Sequence, residues 1–228
     1  MRYVYPTMLI LSIISNIILV LILSRNFKYQ KHEITSMILI DTIGILIGGL
    51  LYTKIFSGNI GFSSLGGVIG GLILLFIYAI ISKKDYKYIL ILFIPSLPLM
   101  YAIGKIGCFV AGCCYGIPYD GLLHITYNNS IVAPSHINLF PVQITETIVF
   151  FMIFIYIINK YIKQNKCIKL VMQEIMICSI AKFILDFLRY EHINKIITTN
   201  QIMCIILFVI AIIYLIKLNI VVKNKKNS

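Results

Sequence analysis

Charge is scarce in this sequence, and acidic charge most of all. Only 12% of the 228 residues are Asp, Glu, Lys or Arg, eight of them acidic, while 60% are apolar. A water-soluble domain of that size has no means of hiding so much apolar surface, which excludes the soluble class before any motif is read. The sequence shows no soluble domain, no linker and no internal repeat. No small-x-small cleavage site follows the first run, residues 5–24, and only Arg2 precedes it. At that length it reads as a retained span, not a signal peptide. Tryptophan is absent. The aromatic residues near the ends of the runs are tyrosines, Tyr3, Tyr5, Tyr88, Tyr101 and Tyr161, at places where a membrane interface favours them.

What is present is a series of runs long enough to cross a bilayer, each about 20 residues. They lie near 5–24, 37–56, 62–82, 88–107, 141–159, 168–188 and 200–217, with a basic tail over 218–228. The expected fold is therefore all-α: a single polytopic membrane domain, a helical bundle of about seven spans covering 1–228. Pro95 and Pro98 are expected to kink the fourth.

The net charge of +12 does not point to nucleic acid, because the basic residues fall in short clusters between spans. Fourteen Lys and Arg gather on one side, around Arg25, Lys28, Lys84, Lys163, Lys166 and the tail after Lys217. Five lie on the other: Arg2, Lys54, Lys105, Arg189 and Lys195. The positive-inside rule then places the C-terminus in the cytoplasm and the N-terminus outside, with the one long loop, 108–140, also outside. The expected location is the cell membrane.

Charged groups inside spans are costly and face a partner or a cavity. Asp41, Glu146, Glu174, Lys182 and Asp186 fall in this class. Lys182 and Asp186, spaced i, i+4, share a helix face, and Arg189 extends that stripe. It reads either as a structural ion pair or as a site for an anionic headgroup. Glu146, in Pro141-Val-Gln143-Ile-Thr-Glu146, reads either as a helix-dipole residue or as part of the same site. The glycines Gly48, Gly49, Gly66, Gly67, Gly70 and Gly71 serve either close helix packing or approach of a headgroup to the backbone.

The densest feature is Gly104-Lys105-Ile-Gly107-Cys108-Phe109-Val-Ala-Gly112-Cys113-Cys114-Tyr-Gly116. The three cysteines admit a disulfide of Cys108 with Cys113 or Cys114 on an oxidising side of the membrane, zinc ligation by Cys108, Cys114 and a histidine, His124 or His136, or a thiolate nucleophile beside Lys105. Cys167, Cys178 and Cys204 read as small apolar residues.

This stretch resembles the signature of the prolipoprotein diacylglyceryl transferase family, Gly-Arg-x-Gly-Asn-Phe-x-x-Gly-Glu-x-x-Gly. Its glycines and phenylalanine match, while Lys105, Cys108 and Cys113 replace the arginine, asparagine and glutamate. Gly66-Gly67-x-x-Gly70 is similar to the family's Ser-x-His-Gly-Gly-x-x-Gly, with Leu65 in the histidine's place. Pro141-x-Gln143-x-x-Glu146 is similar to His-Pro-x-Gln-Leu-Tyr-Glu, with Phe140 in the histidine's place. Lys182-Phe183-x-x-Asp186-Phe187-x-Arg189 resembles Arg-Phe-x-x-Glu-Phe-x-Arg. Gln201 stands where the family opens its last span.

The resemblance implies transfer of a diacylglyceryl group from phosphatidylglycerol to the thiol of a lipobox cysteine in a prolipoprotein signal peptide. It implies catalytic roles for Lys105, Glu146, Lys182, Asp186 and Arg189. It implies substrate contacts at Gly66, Gly67, Gly104, Gly107, Gly116, Gln143 and Gln201. Cys108, Cys113 and Cys114 are expected as a disulfide or as thiols. No cofactor is expected and no metal is assigned. Two other functions stay open: a thiol-based acyl or lipid transferase, and a non-enzymatic lipid-binding or transport protein.

Overall fold

A computed structural model describes residues 4–25, 27, 29–58, 61–128, 130, 132–163 and 167–227. Arg2, Tyr3, Lys28 and Lys166, with the side chains of the tail lysines, lie outside the described residues. The chain forms α1 (Val4–Ser24), α2 (Lys31–Ser57), α3 (Ser64–Ile81), α4 (Tyr86–Phe93), α5 (Leu97–Ala111), α6 (Val142–Lys163), α7 (Ile168–Asp186) and α8 (Thr199–Asn227). Among the described residues, six stretches are long and apolar enough to cross a membrane: Val4–Ser24, Lys31–Phe56, Ser64–Ile81, Tyr86–Ala111, Val142–Lys163 and Thr199–Ile220. The expected seventh, α7, has 19 residues, but Lys169, Glu174, Lys182 and Asp186 fall within it, so length alone qualifies it. Large apolar side chains face outward along the helices, among them Ile18, Leu39, Ile55, Ile80, Met152 and Ile213. Such surface is stable only against lipid.

Local chemistry sets the helix ends. Glu33 reaches back to the Gln30 amide to cap α2, and Gly58, at φ 68°, closes it. Ser63 caps α3 and Asp85 caps α4. A 3-10 turn at Ile94–Ser96, holding Pro95, separates α4 from α5. This is the interruption expected from a proline, which supplies no amide to the helical ladder.

The chain groups into two compact units, Ile13–Met100 and Met1–Ser12 with Tyr101–Ser228. In the first, α2 and α3 pack backbone to backbone through Gly44, Gly48, Gly66 and Gly70. A Cβ on Gly44 would lie 2.6 Å from the Gly70 carbonyl oxygen, and one on Gly48 would strike the Gly66 carbonyl. Small residues at this spacing permit van der Waals contact where lipid offers no hydrophobic drive between helices. Gly48→Ala is expected to destabilise this unit by about 1–3 kcal/mol through overpacking, while Gly61→Ala, whose nearest neighbour is 3.6 Å away, is neutral. Thermal unfolding in detergent checks both; equal midpoints for the two variants would contradict the packing.

Asp41 is buried in the same unit. It accepts a 2.8 Å hydrogen bond from Asn16 Nδ2, and Ser96 donates to Asn16 Oδ1 at 2.7 Å. In the second unit α7 packs against α6 and α8. Ala102, Phe150 and Leu185 form a core there, joined by Tyr101, Val149, Leu188 and Cys178. Cys178 is thus the small apolar residue it was read to be. Tyr161, read as an interfacial residue, is instead almost fully buried.

Candidate active site

Glu146 lies one turn into α6 and is fully buried. It is not in the first turn, so dipole capping does not account for it. Its two oxygens gather three cations from three places in the chain. Lys105 of α5 lies 2.8 Å from Oε2 and Lys182 of α7 lies 2.6 Å from Oε1. One nitrogen of Arg189, Nη2, donates to both oxygens at 3.2 Å. Asp186 adds a second carboxylate, 3.1 Å from Lys182 Nζ and 3.4 Å from Arg189 Nε. The five groups singled out from sequence therefore form one cluster, with three cations against two carboxylates.

The stripe from Lys182 to Arg189 is not continuous helix, as the spacing implied. Helix α7 ends at Asp186, and Arg189 is extended, with φ −90° and ψ 146°. It is held by a short antiparallel bridge to Gly116, in which Ile117 donates to Leu188 O at 3.0 Å and Tyr190 to Tyr115 O at 3.2 Å. A Cβ on Gly116 would strike the Phe140 carbonyl and lie 3.1 Å from the Leu188 carbonyl. The last signature glycine thus lets the loop close against the Arg189 segment.

The other expected contacts divide. Gln143 donates to the Cys113 carbonyl at 2.9 Å, tying α6 to the cysteine turn, and its Oε1 is buried without a hydrogen bond. Gly107 packs against Met8, while Gly104 faces open space. Gly66 and Gly67 stand in the other unit, Gly66 against Gly48 and Tyr52 and Gly67 against Ile45 and Phe62. Gln201 forms a capping box at the start of α8, its Oε1 accepting from the Thr198 amide at 3.1 Å and its own amide donating to Thr198 Oγ1 at 3.2 Å. That pattern satisfies two otherwise orphaned donors.

Three participants were not singled out in the sequence. Tyr101 donates to Glu146 Oε1 at 3.0 Å, and its ring lies 5.1 Å from Lys105 Nζ and 5.6 Å from Lys182 Nζ. It was read as an interfacial aromatic; its i, i+4 spacing to Lys105 was the available signal. Thr198 donates its hydroxyl to Asp186. The Thr-x-x-Gln box at 198–201 was legible as a helix start, but its reach to Asp186 was not. The His192 ring lies 4.8 Å from that of Phe187, tilted by 37°, with Nε2 3.9 Å from Asp186 Oδ2.

The cysteines lie at the C-terminal end of α5. Gly112, at φ 70°, ends that helix in a Schellman turn, with Cys113 N donating to Cys108 O at 3.1 Å and Gly112 N to Phe109 O at 3.3 Å. Cys114 is also left-handed, at φ 54°. All three are free thiols, so the disulfide expected for this loop is not formed. Tyr127 covers the turn, donating to Phe109 O at 3.0 Å. Burial pushes its hydroxyl up to about 12, which leaves it a hydrogen-bonding group and not an acid.

The profile of the family described as prolipoprotein diacylglyceryl transferase matches residues 2–217. The chain is 31% identical to the phosphatidylglycerol–prolipoprotein diacylglyceryl transferase of Clostridium tetani, over 92% of this chain and 90% of that one. It is 28% identical to the enzyme of that name numbered 2 in Clostridium perfringens, over 91% and 87%. A shorter match, 44% identical over 27% of this chain and 21% of the other, is to the Chlorobaculum tepidum protein of that name.

Proposed function

The chain belongs to the prolipoprotein diacylglyceryl transferase family and is a multi-pass membrane transferase, and from that premise we propose that its donor is phosphatidylglycerol and its acceptor the thiol of a lipobox cysteine. The observation that carries the reading is the convergence of Lys105, Lys182 and Arg189 on Glu146. With Asp186 included, the cluster holds one positive charge in excess, the complement of a phosphodiester headgroup.

In the transfer, the acceptor sulfur attacks the glyceryl carbon that bears the phosphate. The thiol gives up its proton to solvent as the C–S bond forms, the C–O bond breaks, and the electron pair leaves on glycerol phosphate. The phosphate gains negative charge as the bond breaks, so fixed cations bind the transition state more strongly than the substrate. That difference, not binding itself, accelerates the step. Glu146 and Asp186 orient the cations, while Gln143 and Gly116 hold the cysteine turn and the Arg189 segment in register. In liposomes containing phosphatidylglycerol, the protein is expected to add diacylglyceryl to a lipobox peptide and release glycerol phosphate in equal amount. Phospholipid bound without glycerol phosphate release would refute the reading and favour a lipid-binding protein.

The same proposal sets the site at the outer face of the cell membrane, with the N-terminus outside and the C-terminus cytoplasmic. The basic residues support it, fourteen against five on the side of Lys105 and Arg189. A fluorescent-protein fusion at the C-terminus should fluoresce and an alkaline phosphatase fusion there should be inactive; the opposite pair of results reverses the topology.

A further inference from the structure

Two of the three cysteines meet because of how α5 ends. A Schellman turn brings the side chain three positions before the helix cap against the one two positions after it, a contact usually made by apolar residues. Here those positions are Cys108 and Cys113. The third thiol joins them because Cys114 adopts the left-handed conformation, φ 54°, disfavoured for a residue with a Cβ. As a result the sulfurs of Cys108, Cys113 and Cys114 all lie within 4.8 Å of one another. Cys108 and Cys113 are half-buried and Cys114 is exposed, so the cluster is walled on one side and open on the other.

We propose that Cys108, Cys113 and Cys114 bind a zinc ion, and that the open fourth position takes the acceptor thiol and presents it as a thiolate. The inference rests on the transferase reading above and supplies what that reading lacks, a group that ionises the acceptor. Thiolates at Zn–S of about 2.3 Å in tetrahedral array stand about 3.8 Å apart, so each sulfur pair has to close by no more than about 1 Å. A disulfide would use two of the sulfurs and leave the third without a role. Three protein ligands and one exchangeable position is the arrangement of a catalytic zinc site, whereas structural sites are closed by four. Three thiolates around a dication leave one negative charge, and Lys105 and Arg189 lie within electrostatic reach of Cys114 to offset it.

The step balances without a redox partner. The acceptor thiol loses its proton to solvent on binding the metal, since a coordinated thiol is deprotonated outright. Its sulfur lone pair forms the C–S bond to the diacylglyceryl carbon. The C–O bond breaks with its electron pair on glycerol phosphate, and the zinc stays divalent on its three cysteines. The thioether product, a poor ligand beside thiolate, then leaves.

The test uses the full chain purified in detergent without chelator. The native protein and a Cys167→Ser control are expected to hold zinc in equimolar amount, and Cys108→Ser, Cys113→Ser and Cys114→Ser to lose it. The cobalt-substituted native protein is expected to show a thiolate-to-metal charge-transfer band. That band should intensify on adding a lipobox peptide and not its Cys→Ser analogue, a readout independent of whether the variants fold. Absence of metal, or metal whose spectrum ignores the peptide thiol, overturns the inference. So does transfer activity that survives in metal-free protein and is lost instead in His192→Gln. A peptide-responsive cobalt spectrum with no glycerol phosphate release would uphold the zinc site and overturn the transferase reading, so the two fail separately.

Discussion

Replacing Glu146 with glutamine is expected to destabilise the protein by about 3–5 kcal/mol, the cost of breaking a buried ion pair from one side. Glu146 has no solvent exposure, and Lys105 and Arg189 beside it have almost none. Its oxygens receive Lys182 at 2.6 Å, Lys105 at 2.8 Å and Arg189 at 3.2 Å. The amide keeps the size but removes the charge, leaving Asp186 alone to compensate three cations. Tyr101 loses the charge in its hydrogen bond as well. Pairing the change with Lys105→Met removes one cation along with the anion and is expected to recover part of the stability and none of the activity. Thermal unfolding of the single and double variants in detergent checks this. A Glu146→Gln midpoint at the native value would mean that the cluster is solvated and the charge argument wrong.

Much of this architecture was legible because a bilayer allows few alternatives. Uninterrupted apolar runs must be helices, since every backbone donor has to be satisfied within its own segment. The runs near 5–24, 62–82 and 141–159 accordingly became α1, α3 and α6 with ends shifted by a few residues. The proline break in the fourth run was legible for the same reason. The cost of burying charge also made the cluster visible: Glu146, Lys182 and Asp186 found one another, whereas Glu174, named on the same ground, is buried with neither carboxylate oxygen hydrogen-bonded among the described residues.

What the sequence hid is what depends on the chain leaving helix. The end of α7 at Asp186 and the extended Arg189 follow from a bridge to Gly116, more than seventy residues earlier, and no local period encodes that pairing. Gln201 looked like a ligand-binding residue at a span start, yet its hydrogen bonds go to Thr198 and Phe183. The cysteine turn stayed open among a disulfide, zinc ligation and a thiolate because spacing alone does not reveal that Gly112 and Cys114 both turn left-handed. That double turn brings a third sulfur to what would otherwise have been a pair.

Within the cluster the three cations are not equivalent, and their partners predict which one serves the phosphate. Lys182 is held by two carboxylates, Glu146 at 2.6 Å and Asp186 at 3.1 Å. Among the described residues Lys105 has a single ion partner, Glu146 at 2.8 Å, and it rests over the Tyr101 ring. An ammonium carries three donors, so Lys105 keeps donors to spare for a phosphate oxygen. Lys105→Met takes the cluster from one excess positive charge to none while Glu146 remains paired to Lys182 and Arg189. The expected result is a fall in kcat of about 10²–10³, the size seen when a preorganised transition-state donor is removed, with little loss of stability. Lys182→Met should show the reverse emphasis, a lower unfolding midpoint and a smaller proportional effect on kcat in protein that remains folded. Lys105→Arg is expected to stay active, because guanidinium keeps the charge and adds a fork suited to phosphate. Steady-state kinetics with phosphatidylglycerol in mixed micelles, alongside unfolding midpoints, separates these outcomes. If Lys105→Met turned over at the native rate, Lys105 would be a structural cation and the leaving phosphate would have to be served by Arg189.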